Sequence, residues 1–173
     1  MSIDQKHAFG NILAVFQAGS RIQAQPFAMR APEVWQGQAC TEPSQVWALA
    51  AMLLCWIKPG ILGTPGCPMP LLNETWCIAK LMRLLPSWTI PPLEDENRQN
   101  EFNLAKALNE RTLPQLCQMS VLEDEILKVD MPTELRDLLQ LMLVVNPDER
   151  PSATHVLASK EFWALDKALA DMK

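Results

Sequence analysis

The sequence predicts a mainly helical fold, a helical bundle around one central buried helix, and three observations carry that expectation. Apolar residues recur at helical steps: Leu135, Leu138, Leu139, Met142 and Val145 lie three or four positions apart. Alternating β-branched residues are nearly absent, which leaves room for at most a short strand near the start. The run Pro43–Ile57 holds no charged side chain, so a helix made of it is apolar all round and must be covered on every side. In a chain of 173 residues such a helix is the central element of the core.

Thr41-Glu42-Pro43-Ser44 opens that central helix. The segment 58–70 follows and carries four of the fourteen prolines and three of the six glycines, so it reads as an irregular loop. Leu71–Leu85 and Glu101–Asn109 read as two further helices. Between them the break from Pro86 to Gln99 contains Pro91-Pro92 and the acidic run Glu94-Asp95-Glu96, a solvated loop. Glu123-Asp124-Glu125 reads as a solvated loop or a helix start. Pro132-Thr133 and Asn146-Pro147 bracket the most periodic helix, and Pro151-Ser152 opens another with Val156 and Leu157 on one side.

The length suits one domain, 1–173, with a core of ordinary size. Hydrophobic residues make up 49% and charged residues 20%, which excludes disordered, collagenous and mucin-like classes. Net charge is -5 and the pI is near 5.0, so nucleic acid is not the expected partner. Five cysteines without a C-x-x-C pair fit neither a disulfide framework nor structural zinc. Met1–Gly10 is no signal peptide, and Val46–Ile57, the longest uncharged apolar stretch, is too short to span a bilayer. The expected location is therefore cytoplasmic or nuclear. His7 and His155 are far apart and suggest neither a Cys–His nucleophile nor a metal site. No Gly-rich phosphate cradle is present, and no catalytic residue, cofactor or metal is expected. Cys55, Trp47 and Trp56 read as core residues of the central helix, and packing is the first reading of Trp35, Trp76, Trp88 and Trp163.

Several motifs carry a family resemblance. Arg30-Ala31-Pro32-Glu33-Val34 resembles the A-P-E element that closes the activation segment of eukaryotic protein kinases. The helix beginning Ser44-Gln45-Val46-Trp47 is similar to the central helix of the kinase C-lobe. Val145-Asn146-Pro147-Asp148-Glu149-Arg150-Pro151-Ser152 is similar to the turn between that lobe's last two helices. The three stand in kinase order and span most of Phe27–Trp163. Residues 8–15, Ala-Phe-Gly-Asn-Ile-Leu-Ala-Val, align with the D-F/L-G-N-A-C-W-V stretch of SR-protein-specific kinases. Ile22-Gln23, Phe27–Val34 and Glu161-Phe162-Trp163 continue that likeness.

The resemblance implies a truncated kinase C-lobe, with 1–29 as the remnant of the activation segment and 30–173 as the helical core. It also implies what is lost. Phosphoryl transfer needs a Gly-rich loop, a strand lysine with its glutamate, and a catalytic-loop Asp and Asn, and only Met1–His7 precede the degenerate metal motif. Ala8 stands where the metal-binding Asp belongs, and Gln45 replaces the Asp that braces the catalytic loop. Kinase activity is therefore not expected. What the resemblance retains is a structural ion pair, Glu33 with Arg150.

Helices that wall the central helix in a kinase precede the metal motif, so one face of Pro43–Ile57 is left to be covered anew or exposed. A contiguous exposed apolar patch of more than a few hundred Å² marks an interaction site or an aggregation liability, and the interaction site is the expectation. The expected function is a non-catalytic pseudokinase-type interaction or regulatory module that binds a second copy or a partner protein. Its candidate interaction face is Val46, Trp47, Leu49, Met52, Leu53 and Trp56. The alternative is an enzyme of unrelated chemistry, or a binder of an apolar small molecule, using a pocket among Trp, Met and Cys side chains.

Overall fold

The computed structural model describes residues 25–111 and 113–171. The expectations for His7, Ala8, residues 8–15, Ile22-Gln23 and a short strand near the start concern residues outside these ranges. The described residues are mainly helical and contain no strand.

Gln25 is buried, and a short 3-10 turn at Phe27–Met29 leads into α1 (Pro32–Trp35), which has proline in its first turn, where a missing N–H costs nothing. The long helix α2 (Glu42–Ile57) starts at a capping box: Thr41 N–H donates to Ser44 Oγ at 3.1 Å, and Pro43 sits in the first turn. The irregular segment after it ends in a second 3-10 turn, Pro70–Leu72, which opens α3 (Asn73–Leu84). Next come α4 (Glu96–Glu110), the short α5 (Pro114–Cys117) and α6 (Leu122–Leu127), then α7 (Thr133–Met142), α8 (Ala153–Ala158) and α9 (Lys160–Asp171).

The start of α4 departs from the sequence reading for an identifiable reason. The acidic run at 94–96 is not simply loop: Asp95 is an N-cap whose carboxylate accepts from Asn97 N at 3.0 Å and Arg98 N at 3.2 Å, so α4 begins five residues early. Of the two readings of Glu123-Asp124-Glu125, the helix start is the one found: the run forms the first turn of α6, with Glu125 buried.

The core joins α1, α2, α3, α4, α6 and α7 through Trp35, Trp47, Leu54, Trp76, Ile78, Phe102, Ile126 and Leu139. α3 lies alongside α4, fastened by Arg83, which donates to Asn109 Oδ1 at 2.9 Å, and by Asn109, which donates to Ala79 O at 3.0 Å. α4 in turn holds α1, since Arg98 donates to Trp35 O at 2.8 Å and to Val34 O at 3.2 Å. α9 packs on α7 and α8.

The 58–70 segment is irregular as expected, yet it is pinned. The buried Lys80 ammonium donates to Gly60 O at 2.8 Å and Pro65 O at 2.7 Å, and Trp76 Nε1 donates to Pro65 O at 3.2 Å. Gly63 approaches the 27–29 turn so closely that a Cβ there would lie 2.9 Å from Ala28 Cβ, and its φ of 76° suits only glycine. Among the described residues no helix is long and apolar enough to cross a membrane.

Candidate functional site

The site grows out of how α2 is clamped. Glu33 on α1 and Arg150 after α7 are both buried and meet in a bidentate contact, Nη1 to Oε1 at 2.8 Å and Nη2 to Oε2 at 3.0 Å. The guanidinium also donates to Val144 O at 2.8 Å, Pro43 O at 2.8 Å and Val145 O at 3.2 Å. Ser44 Oγ donates to Glu33 Oε1 at 2.8 Å, and the Trp47 ring centre lies 5.2 Å from the guanidinium carbon. One cation therefore ties α1, the start of α2 and the end of α7 into a single unit. At the far end, Lys58 Nζ reaches Glu125 on α6 at 2.5 Å, and Lys128 reaches it at 2.7 Å. Burial alone would raise the Glu125 pKa, but hydrogen bonds from Lys128, Lys58 and the Ser120 N–H outweigh it and bring the carboxyl down to about 2.

Held at both ends, α2 presents two unlike sides. Val46, Trp47, Ala50, Ala51 and Leu54 face the core. On the other side Leu49 is 49%, Met52 42% and Trp56 82% exposed, at successive steps of three and four residues. Leu53 is half-buried beside them. The six residues expected to form an interaction face therefore divide: Val46 and Trp47 belong to the core, whereas Leu49, Met52 and Trp56, with Leu53 at the edge, form an outward stripe. Two further expectations are corrected. The helix is not covered on every side, and Trp56 is not a core residue.

Along the rest of the chain, Trp35, Trp76 and Trp88 are buried and Trp163 is exposed. All five cysteines are free. Burial raises the thiol pKa of Cys40 and Cys55 and pushes that of Cys77 up to about 12, which disfavours the nucleophilic thiolate. His155 Nδ1 contacts Ser152 Oγ at 3.0 Å at the start of α8, a local capping arrangement. No group of three or more His, Cys, Asp or Glu among the described residues is arranged to hold a metal ion.

A groove of about 920 Å³ opens between α1, the end of α3, the start of α6 and the turn after α7. It differs from the apolar pocket expected from Trp, Met and Cys side chains: Trp88 lines it, but no Met or Cys does, and the carboxylates of Glu123, Asp148 and Glu149 stand along it. Sequence reasoning missed this groove because its walls come from four segments distant along the chain. Comparison with protein-family models, with curated proteins and with solved structures finds no match to this chain.

Proposed function

We propose that the chain is a non-catalytic, kinase-C-lobe-like interaction module that associates with a second copy of itself through the outer stripe of α2. The observation that carries this reading is the exposure of Leu49, Met52 and Trp56 on one side of a helix whose opposite side is the core. The C-lobe likeness is supported by the buried Glu33–Arg150 contact, which links the A-P-E-like helix to the turn before the last helices as the resemblance implies. The non-catalytic part rests on Ala8 and Gln45 standing where a working kinase carries aspartates.

Charge supports self-association. A chain of net charge -5 repels its own copies over most of its surface, but no charged residue occurs from Pro43 to Ile57. A two-fold axis near Met52 sets Leu49 of each copy against Trp56 of the other, along a helix that carries no charge from Pro43 to Ile57. The test is light scattering on a size-exclusion column across a dilution series, for the natural chain and for Leu49→Lys/Trp56→Lys. Both substitutions are at exposed positions, so the variant keeps its helical circular dichroism and its mass stays monomeric at every concentration. An association unchanged by the variant places the contact elsewhere and sinks the proposal.

A further inference from the structure

We propose that the groove between α1, the end of α3 and the turn after α7 docks a basic, amphipathic segment of a partner protein. The largely buried Leu85 and Trp88 and the half-buried Val145 contribute its apolar surface, while Glu123 lines it from α6 and Asp148 and Glu149 from the turn. None of these three carboxylates makes an ion pair among the described residues, and no Lys or Arg lines the groove. A fourth carboxylate, Glu33, also borders it but is taken up by Arg150. The lining thus offers acceptors and apolar contact and no cationic donor.

The matching occupant has lysine or arginine heads at the rim and aliphatic side chains on the walls. At about 920 Å³ the groove sits at the upper end of the range for compact ligands, room enough for several side chains of a peptide. The net charge of -5 steers such a segment toward the protein, so binding weakens as salt screens it. The groove shares no residue with the α2 stripe, so this inference stands apart from self-association.

The test is fluorescence anisotropy of the full chain with a fluorescein-labelled synthetic peptide of alternating lysine and leucine, about ten residues long. A second peptide carries glutamate in place of lysine. The lysine peptide binds, the glutamate peptide does not, and affinity falls steeply between about 50 and about 500 mM NaCl. Glu123→Gln/Asp148→Asn/Glu149→Gln weakens binding roughly tenfold, the combined effect of three exposed ion pairs of ordinary strength. Two control variants stay within about twofold because they leave the groove intact: Glu94→Gln/Glu96→Gln/Glu110→Gln, which removes the same charge elsewhere, and Leu49→Lys/Trp56→Lys. Equal loss in the groove and control charge variants would reduce the effect to overall acidity and overturn the proposal. So would binding of the glutamate peptide, absence of binding by the lysine peptide, or displacement of that peptide by spermine at comparable concentration, which reassigns the groove to small polycations.

Discussion

Arg150 donates to one carboxylate and three backbone carbonyls drawn from three separate parts of the chain. Removing only the cation strands a buried Glu33, so Arg150→Met costs about 3–5 kcal/mol in urea unfolding. Glu33→Leu/Arg150→Met recovers part of that, because no buried charge is left unpaired. An additive double variant would contradict the pairing. Glu125 predicts a pH dependence. Its folded pKa of about 2 lies below its ordinary 4.5, so its contribution is complete above pH 4.5 and drains away as pH falls toward 2. About 1–2 kcal/mol of the natural chain's acid loss therefore disappears in Glu125→Gln, since its lysine partners are partly in water. Identical acid titrations of the two proteins would rule this out. At this scale the Glu33–Arg150 pair was legible, through motifs 117 positions apart. The Lys80 clamp on Gly60 O and Pro65 O was not, because a backbone carbonyl has no sequence signature.

Elements show how local chemistry and packing share the control of helices. α2 and α7 could be read directly, since both combine start signals with long apolar content. α4 was read too short because the run Glu94-Asp95-Glu96 looks like a solvated loop, although Asp95 caps two backbone N–H groups. Asp95→Ala accordingly costs about 1 kcal/mol in thermal or urea unfolding. A change below measurement error would mean that Arg98, bound to Val34 O and Trp35 O, fixes the start of α4 unaided. The central helix carries the sharper lesson. Fifteen uncharged residues from Pro43 to Ile57 imply full cover by composition, yet cover depends on what lies alongside. The 27–29 turn, α7 and α8 contact α2, and Leu49, Met52 and Trp56 remain on the outer side.

Over the whole molecule, periodicity and the near absence of β-branched alternation were enough to anticipate a mainly helical chain with one long helix in its core. That one face of this helix could stay exposed followed from the resemblance, but which residues turn outward was not legible, since apolar residues occupy both sides. Nor was the acidic groove, which exists only once α1, α3, α6 and the turn after α7 converge. Both surfaces belong to a body whose clamps are internal, so each is open to substitution without dismantling the fold. The most direct measurement of the central proposal is hydroxyl-radical footprinting of the natural chain at low and high concentration, read at Trp56 and Met52 against Trp163. Trp163 is also exposed but lies on α9, so it serves as the internal reference. Self-association through α2 predicts that oxidation of Trp56 and Met52 falls relative to Trp163 as the mass rises. A rise in mass with that ratio unchanged, or no rise in mass at all, would contradict it.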